Sequence, residues 1–229
     1  MFVQRNVYIS KELILTLNPM ELAYVLTYAP FGNHIFHRGY FEQMRDTGLS
    51  DGSSRRVRKS LMEKGYLQMI TRHSWRLNLP RPRGAVFTMV PAAAIVRLKD
   101  APRLLKLYAY LLCKCGRLRC AYQSYRKMEK ELGVAASSLY KKDIPALVER
   151  GLIDVHRRHY KDTRAYRSHC YYVRTTEEAI EGRLKALKIA RAFKKKAGRK
   201  AARVILRPSA LIEETPSPGH GTGIFRPPR

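Results

Sequence analysis

The fold is decided by a stretch of sequence that occurs twice in the chain. Residues 47–67 read TGLSDGSSRRVRKSLMEKGYL, and residues 132–153 read LGVAASSLYKKDIPALVERGLI. Each stretch contains a glycine, a group of small residues with serines, a segment with apolar residues at helical spacing, and a second glycine followed by apolar residues. Such self-similarity within one chain predicts a supersecondary unit that is used twice.

Each copy predicts a helix, a tight turn and a second helix. Gly48 and Gly133 follow helical runs at residues 40–47 and 122–132, and a glycine there can end a helix in the left-handed conformation. Four serines are suited to cap the second helix of their copy, because a hydroxyl can accept a hydrogen bond from a free backbone N–H: Ser50, Ser53, Ser137 and Ser138. In that helix we expect one apolar face to be buried, formed by Val57 and Leu61 in the first copy and by Tyr140, Ile144 and Leu147 in the second.

The flanking sequence extends both copies in the same order. Two strand-like segments follow each copy, at residues 66–71 and 74–79 and at residues 152–156 and 170–174. Upstream, helices are predicted at residues 19–28, capped by Asn18, and at residues 102–113, capped by Asp100. Short strands at residues 7–9 and 86–90 come first. The predicted order is strand, helix, helix, turn, helix and two-stranded hairpin.

In this order, each copy resembles a winged helix-turn-helix domain, and the resemblance covers most of residues 7–175. The tandem pair is similar to plasmid and mobile-element replication initiators and to helix-turn-helix proteins of bacterial conjugative elements. The resemblance implies an α+β, mostly α fold, with winged-helix domains at residues 1–85 and 86–175, a basic helical extension at 176–207 and a disordered tail at 208–229. Pro145 departs from the pattern, because it falls inside the second recognition helix and is expected to kink that helix or delay its start.

The charge indicates the class of partner. The chain has 229 residues, with 45 Lys and Arg against 18 Asp and Glu, and a net charge of +27. The excess is spread over the chain, at +7, +12 and +8 for residues 1–85, 86–175 and 176–229. This balance favours a polyanion, either nucleic acid or an acidic membrane surface. No stretch approaches the roughly 18 apolar residues that span a bilayer, and no signal-peptide pattern begins the chain. We therefore expect a cytoplasmic, nucleoid-associated protein with double-stranded DNA as partner and no membrane partner.

Helical geometry selects the candidate DNA-binding residues. With Val57 and Leu61 inward, Arg55 and Lys59 point outward and Arg56 lies near the edge of that face. In the second copy the same construction exposes Ser138, Leu139 and Lys142, with Lys141 between the two faces and Leu139 facing a thymine methyl group. The wings and the C-terminal basic segment add further cations. The DNA-binding candidates are Arg55, Arg56, Lys59, Arg72, Arg76, Ser138, Lys141, Lys142, Arg157, Arg158, Lys161, Arg164, Lys194, Lys195 and Lys196.

These candidates have simpler explanations too. The charges can merely solvate an exposed helix face, and base contact or phosphate contact stays open for each residue. Trp75 lies in the first predicted wing and can stack on a base, although a single wing tryptophan is expected to pack against its own domain.

No enzyme is predicted. The chain has no P-loop, no dinucleotide-binding glycine pattern and no acidic cluster for catalytic metals, so no catalytic residue, cofactor or metal is expected. Residues 34–37 read HIFH, which departs from the His-hydrophobe-His metal motif of replication nucleases.

The four cysteines, Cys113, Cys115, Cys120 and Cys170, are expected to be unbridged, small buried hydrophobes. A zinc site formed by Cys113, Cys115 and Cys120 with either Cys170 or His169 is the alternative that their spacing disfavours.

These observations predict sequence-specific binding of double-stranded DNA through two winged-helix domains, in transcription or copy-number control of a bacterial mobile element. A replication initiator that binds origin repeats is the nearest alternative. A packaging protein that binds RNA or DNA with little sequence preference is the alternative from another class.

Overall fold

A computed structural model describes residues 6–29, 35–80, 86–115, 120–156 and 169–197. We call residues 6–80 the first half and residues 86–173 the second half. The elements of the first half are β1 (Val7–Ser10), α1 (Lys11–Thr16), α2 (Pro19–Tyr28), β2 (Ile35–His37), α3 (Tyr40–Thr47), α4 (Asp51–Glu63), β3 (Leu67–Thr71) and β4 (Ser74–Leu77).

The elements of the second half follow the same order, except that one helix is interrupted. They are β5 (Phe87–Val90), α5 (Ala92–Leu98), α6 (Pro102–Lys114), β6 (Cys120–Gln123), α7 (Tyr125–Leu132), α8 (Ala136–Ser138), a π turn (Leu139–Asp143), α9 (Ile144–Glu149), β7 (Ile153–His156) and β8 (His169–Val173). A long helix, α10 (Glu177–Ala197), comes last. The α+β, mostly helical class predicted from the sequence is confirmed.

Three small antiparallel sheets organise the strands. The two halves each contain a three-stranded sheet of the same topology, in the order β2-β4-β3 and β6-β8-β7. The third sheet joins the halves, because β1 pairs with β5 in antiparallel register from Val7↔Val90 to Ser10↔Phe87. The first strand of each repeat therefore has its hydrogen-bonding partner in the other repeat.

The core is continuous across the two halves. Helices α2 and α6 pack against each other at its centre, and Tyr24, Leu26, Tyr108 and Leu111 are fully buried there. Residues up to Lys188 belong to one compact unit, and α10 continues from it into a second unit that begins at Ile189. The predicted domain boundary at residue 85 lies outside the described residues and stays a prediction.

Many local predictions are confirmed. Asn18 caps α2 by accepting hydrogen bonds from the backbone N–H groups of Met20 and Glu21, in a complete capping box. Ser50 caps α4 in the same way through the N–H of Ser53. Helices α3 and α7 end at Gly48 and Gly133, whose φ values of 71° and 66° lie in the left-handed region. This conformation has a low cost only for glycine, which explains its presence in both turns.

Four expectations about helix starts are wrong. Ser53, Ser137 and Ser138 are not the N-caps: Ala135 precedes α8 without a side-chain cap, and Glu129 Oε1 accepts from the N–H of Ala136 instead. Asp100 does not cap α6, because its carboxylate binds the guanidinium of Arg150. At Ala136 and Asp100 a charged side chain from elsewhere in the fold takes part in place of the predicted cap, whereas Ser53 is preceded by Ser50, which caps α4 itself.

The helical run predicted at residues 122–132 begins later than expected. Tyr122 and Gln123 belong to strand β6, and Ser124 caps α7 through the N–H of Lys127. Strand β6 forms because β8, from far along the chain, supplies its hydrogen-bonding partners.

Pro145 interrupts the helix that follows the second turn, as predicted. The backbone passes through a π turn, in which the N–H of Ile144 donates to the carbonyl of Leu139, before α9 begins. A turn with an i→i+5 bond places Leu139, rather than Tyr140, on the same face as Ile144. Leu139 is 1% exposed and Tyr140 is 46% exposed, so the predicted assignment of these two residues to the outer and inner faces is wrong.

The cysteines also differ from expectation. A disulfide joins Cys120 of β6 to Cys170 of β8, whereas unbridged thiols were predicted. Both residues are buried, on adjacent strands whose pairing brings them together. Cys113 and Cys115 are unbridged, and burial raises the pKa of both thiols, to about 12 for Cys115. Among the described residues, no group of three or more His, Cys, Asp or Glu side chains is arranged to hold a metal ion.

Candidate nucleic-acid interface

Helix α4 presents one basic face to solvent. Its other face is buried by Ser54, Val57, Arg58 and Leu61. Arg55 and Lys59, predicted to point outward, and Arg56, predicted near the edge of that face, are all exposed. The turn through Gly48 and the cap by Ser50 orient this helix against α3, so the basic face is held by a packed helix pair.

Arg55 is clamped by an acid of its own helix. Its Nε lies 3.0 Å from Asp51 Oδ1 and its Nη2 lies 2.8 Å from Asp51 Oδ2, a bidentate pair one turn apart. The Arg55 side chain remains 72% exposed, so the pair contributes at most about 1 kcal/mol to stability. The main effect of the pair is to fix the orientation of the Arg55 guanidinium. One edge of the guanidinium is engaged, and the edge formed by Nη1 and Nη2 retains donors for a bidentate acceptor.

Arg56 and Lys59 are held less tightly. Arg56 Nε lies 3.3 Å from the carbonyl oxygen of Gly52, and Lys59 Nζ lies 4.0 Å from Glu63 Oε1. Both side chains are long and exposed, and neither contact fixes the charged group in one orientation. They suit contacts with phosphates, which need charge more than fixed geometry.

A buried arginine packs beneath α4 and was not among the residues predicted from the sequence. Arg58 is 5% exposed, and its Nη1 donates to Ser54 Oγ at 2.8 Å and to Gln43 Oε1 at 3.4 Å. The guanidinium also lies 4.4 Å from the centre of the Tyr40 ring. A signal was present, because Arg58 lies three residues before Leu61 and therefore on the inward face of the helix.

The first hairpin, which was predicted as a wing, lies beside α4. The predicted strands are confirmed as β3 and β4, with Arg72 exposed in the connecting turn. Arg76 is half-buried on β4, opposite Ile35 of β2 and Gln68 of β3. Trp75 is 1% exposed and its Nε1 donates to the carbonyl of Arg38, so the expectation that it packs within its own domain is confirmed.

In the second half, two of the predicted cations are exposed in the described segment after the turn. Lys141 and Lys142 are exposed on the π turn, and Ser138 is half-buried before it. Leu139 is buried and cannot meet a thymine methyl group. The neighbouring Asp143 is buried and accepts hydrogen bonds from Arg103, which anchors the turn to α6.

The remaining candidates lie where side chains are not described. The second-wing residues Arg157, Arg158, Lys161 and Arg164 fall outside the described residues. Lys194, Lys195 and Lys196 belong to the last turns of α10, but only the backbone of that part is described. The first turns of α10 pack on the second half, where Arg183 Nη2 lies 2.7 Å from Asp154 Oδ1.

An acid–base clasp holds the end of each helix that follows the turn. Lys64, just before Gly65, binds the buried carboxylate of Glu21 at 2.7 and 2.8 Å. Arg150, just before Gly151, binds Asp100 at 3.0 and 3.1 Å. Burial alone would raise the pKa of Glu21, but hydrogen bonds from Lys64, Ser60 and the Asn18 backbone outweigh it and lower that pKa. The Arg150 hydrogen bonds lower the pKa of Asp100.

Comparisons with known proteins add no assignment. No family model matches the chain, and the curated proteins compared with it include no matching sequence. Within the part of the chain that is described, no helix is both long and apolar enough to cross a membrane.

Proposed function

We propose that the chain is a tandem winged helix-turn-helix protein that binds a specific sequence in double-stranded DNA. Support comes from the element order, in which each half has a helix, a left-handed glycine turn, a second helix or its interrupted counterpart, and a hairpin closed by a third strand. In winged-helix proteins the second helix enters the major groove and its N-terminal residues reach base edges. Here that helix is α4 in the first half.

The observation that carries the proposal is the exposed basic face of α4 with the clamped Arg55. A guanidinium that is oriented by Asp51 and keeps a free edge suits the O6 and N7 acceptors of guanine. Arg56 and Lys59 contact phosphates on either side, and Arg72 in the wing reaches the backbone or the minor groove.

In this proposal the two halves make different kinds of contact with DNA. The first half reads bases through Arg55, and the second half contributes mainly phosphate contacts through Lys141 and Lys142. The second wing (Arg157, Arg158, Lys161 and Arg164) and the end of α10 (Lys194, Lys195 and Lys196) add positive charge in the same role. Two readers in one chain can cover adjacent turns of the major groove, about 34 Å apart, without a second subunit.

The biological setting follows from the resemblance of the sequence. We place the protein in transcription or copy-number control of a bacterial mobile element, without enzymatic activity of its own. Binding to origin repeats as a replication initiator is the alternative. The genomic positions of bound sites separate the two, because a regulator binds at promoters and an initiator at an origin.

The decisive experiment selects bound fragments from random duplex DNA and follows binding across a salt titration. A specific protein keeps a preference for the selected sequence as salt rises, whereas a packaging protein loses all binding together. Arg55→Ala should relax the preference at one guanine by about 1–3 kcal/mol. Lys142→Ala should weaken all sequences alike and reduce the salt slope by about 1. Equal behaviour of the two variants would contradict the assignment of α4 as the reading helix.

A further inference from the structure

An apolar groove lies beside the proposed reading face. It is enclosed by α3, α4 and the first hairpin, and its volume of about 670 Å³ is within the range of roughly 300–1,000 Å³ that is usual for ligand pockets. Six of its nine lining residues are aromatic or thioether side chains: Tyr40, Phe41, Met44, Met62, Met69 and Trp75. The other three are the ion pair of Asp51 with Arg55, and the buried Arg58.

The groove exposes more apolar surface than the fold requires. Phe41, in the first turn of α3, is 85% exposed, and Met69 of β3 is 50% exposed. Neither side chain belongs to the core cluster. Apolar groups that cluster on an otherwise charged surface commonly mark a binding site.

The floor and rim of the groove indicate what it binds. The Tyr40 and Trp75 rings meet edge to face at 5.8 Å, and the buried Arg58 guanidinium lies 4.4 Å from the centre of the Tyr40 ring and 5.9 Å from that of Trp75. Arg55 stands on the rim, so the groove is continuous with the face that we propose reads DNA. Asp51 occupies only one edge of the Arg55 guanidinium, so a partner that matches both the apolar lining and the remaining donors of Arg55 carries planar rings on an anionic backbone. This is the chemistry of a nucleotide.

We propose that this groove accepts an unpaired nucleobase of the bound DNA, which stacks on Phe41 beside the Met62 and Met69 thioethers. This inference rests on the proposed function. A base inside an intact duplex cannot reach the groove, so the protein should prefer DNA that contains an extruded base next to the Arg55 contact. Aromatic side chains and flat bases stack without regard to base identity, so the site recognises opening of the duplex rather than sequence.

In the described part of the second half, two apolar residues that line this groove are replaced by charged ones. Arg126 and Glu129, both exposed, stand in α7 at the positions that Phe41 and Met44 occupy in α3. The proposed site therefore belongs to the first half alone.

The test measures binding of the full chain to a short duplex with its selected sequence. A matched series carries one extra unpaired 2-aminopurine at successive positions around the guanine that depends on Arg55. Wild-type protein should bind one bulged duplex about tenfold more tightly than the fully paired duplex. The fluorescence of that 2-aminopurine should fall as it stacks in the groove.

Phe41→Ala should abolish this preference and the quenching while leaving affinity for the paired duplex within about twofold. Met69→Ala should weaken both effects. Tyr8→Ala, which removes a 68% exposed ring from β1 outside the groove, should behave like wild type. Because Phe41 and Tyr8 are both exposed, neither variant threatens the fold.

Three results would overturn the inference. Equal binding of paired and bulged duplexes by wild type would reject the base site while leaving duplex recognition intact, and would favour an apolar protein partner for Phe41. Loss of paired and bulged binding together in Phe41→Ala would assign Phe41 to general DNA contact. Failure of wild type to bind any duplex would reject the proposed function along with the base site.

Discussion

The two halves share an element order but support the helix after the turn by different chemistry. Helix α4 is continuous over 13 residues and lies on a buried polar network, in which Gln43 accepts from Tyr24 and Arg58. At the corresponding positions of the second half stand Met128 and Ile144, both buried. The helix after the turn therefore packs on buried polar side chains in the first half and on buried apolar ones in the second, although the order of elements is the same.

The halves also differ in the surface that they present. In the first half, a regular helix spaces Arg55 and Lys59 one turn apart on one face. In the second half, the π turn rotates the chain, so Lys141 and Lys142 come to the surface together. A repeated topology therefore does not imply a repeated binding surface, because the exposed face depends on the helical register, and one proline changes that register.

The largest expected effect tests this change of register. Leu139→Ala should lower the free energy of unfolding by about 2–5 kcal/mol, because a fully buried leucine is removed. Tyr140→Ala should cost less than Leu139→Ala, about 1 kcal/mol, because Tyr140 is 46% exposed and its ring loses mainly an edge contact with Tyr125. Urea unfolding followed by circular dichroism measures both values. The reverse ranking would show that the second helix is a regular α-helix, like α4.

The second prediction concerns the disulfide, which only the second half contains. Cys120 and Cys170 are 50 residues apart, and a cross-link of that span stabilises a fold by about 2–4 kcal/mol. The double variant Cys120→Ala/Cys170→Ala should unfold at lower urea concentration by that amount. Adding reductant should destabilise wild type and leave the double variant unchanged.

A thiol count supplies an independent check on the disulfide. The unfolded, unreduced chain should present two reactive thiols, from Cys113 and Cys115. Four reactive thiols would contradict the bridge.

The smallest effects compare the two acid–base clasps. Glu21→Gln should cost about 1–3 kcal/mol, because a buried, charge-assisted network is broken. Asp100→Asn should cost at most about 1 kcal/mol, because that carboxylate is exposed. Thermal unfolding of both variants at neutral pH measures the difference, and an equal cost would contradict the difference in burial.

Acid unfolding provides a second comparison of the Glu21 and Asp100 ion pairs. Both carboxyl groups have a folded-state pKa below their ordinary values of 4.5 and 3.8. Each clasp therefore contributes its full stability above the ordinary pKa and loses that stability as pH falls through the lowered pKa. Wild type should lose stability below about pH 4.5 more steeply than Glu21→Gln.

Features that depend on a few neighbouring residues were predictable from the sequence. The left-handed turns at Gly48 and Gly133, the caps by Asn18 and Ser50 and the bounds of α3 follow from backbone sterics and short-range hydrogen bonds. The outward direction of Arg55, Arg56 and Lys59 follows from the 100° step of a regular helix, once Val57 and Leu61 are taken as its buried face.

Other features were not predictable, because distant residues compete with local ones. Strand β6 exists because β8 pairs with it, and the same pairing brings Cys120 to Cys170. Asp100 binds Arg150, from 50 residues along the chain, in preference to the helix that it precedes.

By itself, the sequence determined that one unit occurs twice, where its turns fall, and that its surface is strongly basic. These properties depend on residue type and short-range spacing. Only the tertiary structure decided that the halves share the β1–β5 sheet and one core, that Leu139 replaces Tyr140 inside, and that an apolar groove lies over Arg58. These features depend on which apolar surfaces are buried against each other, and those surfaces come from residues that are far apart in the chain.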